Sequence, residues 1–390
     1  MHVCFLPAWY PSHSEDLYGS FFREQAIALH HAGAQVGILF PETRSLRNPG
    51  NVWSFERCLR RELDNGVWTY RAWSANLTGR WKQQKRLAAL TRRTFASYVV
   101  ERGLPEILHL QVGSSLGLVG VGIASEYGIP CVLSEHRSAF ARGLLSLEEL
   151  AVAKQVAKGV GARFAVSRPF ARLLEGMLEI PFGSFQVMPN AVSVRFLEAE
   201  LDLRGRGLRR IVHVSLLDEN KNVASLIDAF ASAFGGSPEV SLVIGGDGPT
   251  RSELQERVSG LGICSQVTFL GALSREDVVG LLQEADLFVL PSRFETFGVA
   301  VVEALAVGVP VVATRSGGPE DIIAEGDGLL VPVNDVAALA AGMEQVLNDS
   351  SLEDRAGRRE RCRLRFGAES VSARWLEIYS DLISDSAVVT

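Results

Sequence analysis

Cysteine is scarce in this chain and carries no pattern. The five, Cys4, Cys58, Cys131, Cys264 and Cys362, are odd in number and scattered. That argues against a disulfide framework or a zinc site and fits a reducing cytoplasm. No run reaches the roughly 18 uncharged apolar residues of a membrane span. The opening MHVCFLPAWYP has no basic leader, so no signal peptide is expected. No D-x-D triplet occurs, which weighs against a metal-bound diphosphate, and no G-x-G-x-x-G opens either half, which disfavours a dinucleotide-dependent dehydrogenase. Low-complexity tracts and alignable repeats are missing too.

What is there is ordinary water-soluble composition: 390 residues, 47% apolar and 22% charged, a length that suggests two domains. The charge is uneven. Residues 1–195 carry 22 Lys and Arg against 15 Asp and Glu; with 39 and 45 in the whole chain, the remainder carries 17 against 30. Within 71–100 stand Arg71, Arg80, Lys82, Lys85, Arg86, Arg92 and Arg93, with no acidic residue and with Trp73 and Trp81 interleaved. This is either a solvated basic helix face or a surface for anionic lipid or a phosphorylated acceptor. The location expected is cytoplasmic, with peripheral contact at the inner face of the membrane if the second reading holds. No nucleic-acid partner is expected.

Short β-branched runs alternate with longer amphipathic segments in both halves, which implies parallel sheets with helices on both faces. In the first half the expected strands are 2–7, 35–40, 106–111, 130–135 and 163–167, with helices near 20–32, 83–102, 115–127 and 147–159. In the second they are 210–215, 240–246, 266–271, 286–292, 309–314 and 328–333, nearly continuous in apolar residues as strands covered on both sides should be. The expected domains are 1–192 and 193–371, with a final amphipathic helix, 372–390, packing back on the first. The fold class is α/β, two doubly wound domains facing across a cleft that would hold the site.

Four loops after strands of the second half carry polar or flexible residues. SLLDENKN places Lys221 before a helix, where it can act as a point charge on phosphate. GGDGP carries Gly246, Asp247 and Gly248, whose glycines would let backbone approach a ligand. In RFETFGVAVVEALAVG a helix starts at Gly298, so the N–H groups of Phe297, Gly298, Val299 and Ala300 can form an anion site. Glu295 and Glu303 bracket it, and carboxylates accept hydrogen bonds from hydroxyl-rich groups. RSGGPEDI repeats the strand-to-helix pattern with paired glycines.

Glu295 and Glu303 have the E-x7-E spacing, and GDGP, VTFLG, LFVLPSRFETFG, GVPVVAT, SGGPEDI and GLLVP stand around them in order. From 210 to 350 the chain resembles the retaining family-4 glycosyltransferases of GT-B fold. VMPNAV and WYPS…YGSFFREQAIAL extend the resemblance more weakly into the first half. The resemblance implies that Glu295 holds hydroxyls of a donor sugar and Glu303 those of the ribose. Backbone N–H groups at Phe297, Gly298 and Val299 would bind the distal phosphate, Phe269 and Leu270 the base, and Lys221 would neutralise the leaving diphosphate. One position departs: Leu216 stands where that family has a diphosphate-binding arginine, which leaves more of the charge to Lys221 or to Arg293 or Arg315.

In the first half the resemblance implies a glycine-rich loop after the first strand; SEDLYGSF has one glycine, Gly19, followed by Ser20. His136, in CVLSEHRSAF, matches a histidine beside the reacting sugar carbon, with Arg137 next to it on the acceptor side. Glu135 should turn the other way by strand alternation. His109 is expected in the core or behind the site. The implied activity is metal-independent transfer of a hexosyl or N-acetylhexosaminyl group, with retention, from a nucleoside diphosphate sugar, UDP foremost. The acceptor would be a lipid-linked, phosphorylated or other hydroxyl compound, and no cofactor is implied. The readings weighed against it are a catalytically silent homologue, motivated by Leu216 and the single Gly19, and a nucleotide-sugar epimerase.

Overall fold

The computed structural model describes residues 1–11, 19–45, 59–76, 80–201, 208–349 and 354–389. They form two compact units, one of Met1–Val166, Ala171–Met188 and the chain from Val371, the other of Ser167–Phe170 and Pro189–Ser370.

The first unit is built on eight strands: β1 (His2–Leu6), β2 (Gln35–Ser45), β3 (Leu59–Asp64), β4 (Val67–Asn76), β5 (Ile107–Leu110), β6 (Cys131–Glu135), β7 (Ala162–Ala165) and β8 (Gln186–Val187). Their order is β3-β4-β2-β1-β5-β6-β7-β8, parallel except where β3 runs against β4. The helices along this stretch are α1 (Ser20–His31), α2 (Arg80–Arg102), α3 (Ser115–Tyr127), α4 (Leu147–Gly159) and α5 (Arg168–Leu178). β1, β5 and β6 are buried along their whole length, because helices cover both faces of a parallel sheet. Serine caps fix two helix starts. Ser114 accepts from Gly117 N, and Ser146 forms a reciprocal capping box with Glu149.

In the second unit come α6 (Val194–Leu197), β9 (Arg209–Val214), α7 (Val223–Phe234), β10 (Val240–Gly245), α8 (Arg251–Gly260), β11 (Val267–Gly271), α9 (Arg275–Gln283) and β12 (Leu287–Leu290). Then follow α10 (Val299–Ala306), β13 (Val311–Thr314), α11 (Pro319–Ile322), β14 (Gly328–Val331), α12 (Val336–Asn348), α13 (Arg355–Phe366) and α14 (Ala368–Val389), whose residues from Val371 on belong to the first unit. All six strands are parallel in the order β11-β10-β9-β12-β13-β14. Leu226, Ile227 and Phe230 of α7 and Met343 of α12 pack with Leu242, Ile244 and Val289 into one core.

The strand pair β3–β4 is absent from the sequence-based expectation. Its signal is Asn65-Gly66, with φ of 47° and 83°, the left-handed pair of a two-residue hairpin turn. Part of the basic 71–100 stretch is therefore strand. Arg71 lies on β4 with only 9% of its surface exposed. It donates to Glu62 at 3.0 Å and to Pro11 O, and its guanidinium stacks 5.2 Å from the Tyr10 ring. Arg92 is paired with Glu126. The expected basic surface thus loses Arg71 to the interior, and of Arg80, Trp81 and Lys82 only the backbone is among what is described. Among the described residues no helix is long and apolar enough to cross a membrane.

The last helix contributes to the core of the first unit. Val371, Trp375 and Tyr379 are buried; Trp375 meets Phe164 edge-on at 4.8 Å, and Tyr379 Oη lies 2.6 Å from His109 Nδ1. The other ring nitrogen of His109 is 2.8 Å from Ser134 Oγ, so His109 is a satisfied core residue. Trp375→Ala should cost about 3–5 kcal/mol by emptying this site, read as a lower urea midpoint for the first unit; an unchanged midpoint would contradict the packing.

Candidate active site

In the second unit the chain turns to opposite sides after β9 and β12, which are neighbours in the sheet. Such a reversal leaves a crevice at the carboxyl ends of the two strands. Both loops there are tied together. After β9, Asp218 Oδ1 accepts from Lys221 N at 3.1 Å and shapes the short 3-10 turn Glu219–Lys221. Asn220 Nδ2 donates to Phe294 O at 2.9 Å, and Arg293 N donates to Asn220 O at 2.8 Å. The result is a contact between residues 74 positions apart: Lys221 Nζ donates to Glu295 Oε1 at 2.6 Å. Ser292 Oγ donates to the same oxygen at 2.7 Å. Lys221 and Glu295 are both partly buried, so their attraction is screened less than at an open surface.

Gly298 opens α10 with φ of 105°, a value other residues rarely adopt. Val301 N is the first in the turn to find a described backbone carbonyl, Gly298 O at 3.0 Å. The N–H groups of Phe297, Gly298, Val299 and Ala300 thus form the positive end of the helix. Glu303 is buried on α10 and its carboxylate is paired with Arg275 of α9. Arg275 in turn stacks 5.2 Å from the Phe196 ring. Arg275 was missed from sequence, since one arginine in a capped first turn carries no motif.

The glycines of these loops have a structural use besides the one expected of them. They let chain approach chain where a side chain would not fit. A Cβ on Gly246 would lie 1.8 Å from Ser215 O, and one on Gly248 2.3 Å from Leu217 O. On Gly317 and Gly318 it would meet Glu295 O and Phe297 O at 2.7 and 2.0 Å. Asp247 accepts from Gly248 N at 2.8 Å and from Arg251 at 3.0 Å. Phe269 packs partly into the core from the edge strand β11, and the next residue, Leu270, is exposed. Leu216 is 63% exposed, while Arg293 and Arg315 are exposed on the loops after β12 and β13.

Beneath this crevice His213 is fully buried on β9. Its Nδ1 donates to Val289 O at 2.8 Å, and its Nε2 faces Ser215 Oγ at 2.7 Å. Burial lowers its pKa to about 4, against the upward pull of the Val289 carbonyl. The ring is neutral at pH 7.

In the first unit the corresponding loops follow β1, β5 and β6. Gly19 caps α1 with φ of 80°, and a Cβ there would crowd Trp9 Cδ1 at 2.9 Å. Ser20 is the first residue of α1; residues 14–18 of the SEDLYGSF loop lie outside the described residues. His136 Nε2 is 3.1 Å from Gln111 Oε1, and its ring rests near those of Phe21 and Phe22 at 5.2 and 5.1 Å. Glu135, the last residue of β6, is buried like the rest of that strand. It accepts from the N–H groups of Gly113, His136 and Arg137, each at 3.0 Å, and from the Arg137 guanidinium at 2.8 Å. Burial alone would raise the Glu135 carboxyl, but Arg137 and these hydrogen bonds hold it below the usual range. Arg137 also donates to Gly113 O at 2.9 Å, so it clamps the loops after β5 and β6. Among the described residues no three His, Cys, Asp or Glu cluster as metal ligands.

The family profile described as glycosyl transferase 4-like domain matches residues 18–191, and that described as glycosyl transferases group 1 matches 204–363. The chain belongs to the glycosyltransferases. Its fold is GT-B. Sucrose-phosphate synthase from Thermosynechococcus elongatus superposes with a TM-score of 0.76 at 21% identity, covering 98% of this chain and 99% of that one. The Anabaena protein HepE, solved in complex with UDP and glucose, superposes at 0.69 and 19% identity over 98% and 100%. In sequence, this glycosyltransferase is 34% identical over 178 residues to the N-acetyl-alpha-D-glucosaminyl L-malate synthase of Bacillus anthracis, 45% of this chain and 46% of that one. The first curated relatives are matched over about half of their length or less.

The depressed His213 gives a pH signature. The unfolded chain takes up its proton near pH 6.5 and the folded one only near pH 4, so stability is full above 6.5 and falls as the pH drops toward 4. The loss is about 3 kcal/mol. In His213→Asn the fall in urea midpoint of the second unit between pH 7 and 4.5 should be clearly smaller; an unchanged slope would contradict a neutral buried imidazole.

Proposed function

We propose that this glycosyltransferase is a retaining member of family 4. It moves a hexosyl or N-acetylhexosaminyl group from a UDP-sugar to a hydroxyl acceptor in polysaccharide, lipid-linked glycan or glycosylated-metabolite biosynthesis, without a metal. The observation that carries the proposal is the Lys221–Glu295 contact at the β9/β12 reversal, beside the helix start at Gly298. A lysine, a helix N-terminus and a carboxylate in one crevice suit a sugar diphosphate: cation and N–H groups for phosphate, carboxylate for sugar hydroxyls. UDP is the nucleotide in the Anabaena complex of the same fold.

In this mechanism the bond between the anomeric carbon and the diphosphate oxygen breaks through an oxocarbenium-like state. The acceptor oxygen bonds to the same face, and its proton passes to the departing phosphate. What the protein supplies is charge stabilisation of the leaving group, from Lys221 and the N–H groups of Phe297, Gly298 and Val299. Glu295 would orient the sugar and Glu303, set by Arg275, the ribose. Gly246–Gly248 and Phe269–Leu270 would border the base. His136 with Gly19 and Ser20 would serve the sugar and acceptor.

Exposed Leu216 favours a second reading, a relative that binds the nucleotide sugar without transferring it. A thermal-shift screen of UDP-, GDP- and ADP-sugars in EDTA, followed by turnover assays, separates the two. Transfer predicts a shift and turnover, with Lys221→Ala losing about a hundredfold in kcat/KM. Glu295→Ala should lose sugar discrimination and keep UDP affinity, whereas Glu303→Ala should weaken both. If no nucleotide sugar shifts the melting temperature, the donor site is wrong; binding without turnover, unchanged in Leu216→Arg, points to the silent relative.

A further inference from the structure

Ser167–Phe170 belongs to the second unit, although the chain before and after it belongs to the first. Ser167 is fully buried and stands at the N-cap of α5, where its Oγ accepts from Phe170 N at 3.3 Å. Its one hydroxyl proton goes elsewhere. Ser167 Oγ donates to Thr296 O at 2.6 Å, across 129 positions of sequence. A carbonyl oxygen only accepts, so the direction of this bond is fixed.

Thr296 lies in the turn between Glu295 and the helix start at Gly298. The peptide that joins it to Phe297 is planar and trans, so the Phe297 N–H points away from the Thr296 carbonyl. Holding one end aims the other. Phe297 is buried, and its N–H meets no acceptor among the described residues, as the amides at a helix start leave theirs for a ligand or water.

The rest of the turn is held as well. Glu295 N donates to Ser316 O and Gly318 N to Glu295 O, each at 2.8 Å, which pins the residue before Thr296. Asp321 of α11 accepts from Arg168 N at 2.5 Å and from Arg168 Nε at 2.8 Å, which pins the residue after Ser167. Residues 167–168, 295–297 and 318–321 thus close into one ring of contacts.

We infer that Ser167 is a positioning residue for the donor site: through Thr296 O it aims the Phe297 N–H at the distal phosphate of the nucleotide. This rests on the transferase reading, and it adds a residue outside the 204–363 stretch that the group 1 profile matches.

The test is titration of the 15N-labelled full chain with UDP, UMP and inorganic pyrophosphate, following Kd and the Phe297 amide resonance, in wild type, Ser167→Ala and Asp354→Ala. Asp354 caps α13 by accepting from Gly357 N at 2.8 Å. That cap is at the amino end of the strands, since Arg355 lies against Gly308 just before β13, so its loss reads the effect of a missing helix cap alone. Expected in the wild type is movement of the Phe297 amide by UDP and pyrophosphate. In Ser167→Ala the preference for UDP over UMP should fall about tenfold, the scale of a charge-assisted hydrogen bond, and in Asp354→Ala it should stay. A preference unchanged in Ser167→Ala, or lowered as much in Asp354→Ala, would overturn the inference. UDP binding that leaves the Phe297 amide unmoved would overturn it too, while keeping the transferase reading. Pyrophosphate binding that depends on Ser167, with no nucleotide bound, would keep the positioning role and remove that reading. A wild type that binds neither UDP nor pyrophosphate would remove both.

Discussion

The second unit depends on one constraint, the reversal of chain direction between β9 and β12. With strand order β11-β10-β9-β12-β13-β14, only at that point do two neighbouring strands release their loops away from each other. The loops are then drawn over the opening by backbone contacts that tolerate no side chain. Gly246 and Gly248 lie against the 215–217 loop, and Gly317 and Gly318 against the backbone of Glu295 and Phe297. The Lys221–Glu295 contact follows from this closeness, since each residue sits on a segment whose course is fixed by the other.

Charge in this unit is placed in partnered form. Glu303, inside an otherwise apolar helix, is tolerable because Arg275 meets it and Phe196 covers Arg275; a lone carboxylate there would be costly. His213 beneath the crevice stays neutral and satisfied on both ring nitrogens. In the first unit Glu135 and Arg137 repeat the device, a buried pair that aligns two loops and leaves His136 between Gln111 and the rings of Phe21 and Phe22.

Much of the fold was readable from sequence because parallel strands buried on both faces, such as Val311–Thr314 and Leu287–Leu290, announce themselves as short apolar runs. The pair β3–β4 was not, since LRRELD and VWTYRAWSAN alternate charge with aromatics and their one strong signal, Asn65-Gly66, is two residues long. Candidate site residues were readable where a motif spaced them, as with Glu295, Gly298 and Glu303. Arg275 and Gln111 were not, because each is placed by packing between segments far apart in the chain. Arg71 shows the converse: a cation counted as surface is buried over Tyr10, which a charge count does not see.

The central proposal is that Lys221, opposite Glu295, answers the second phosphate of a nucleotide donor, with Leu216 standing where the sequence resemblance would put an arginine. Isothermal titration of UDP and UMP into the wild type and Lys221→Ala, in EDTA, addresses it directly. The account predicts that the preference for UDP over UMP falls about tenfold or more in the variant, the worth of a charge-assisted contact. A preference unchanged by the substitution would contradict it.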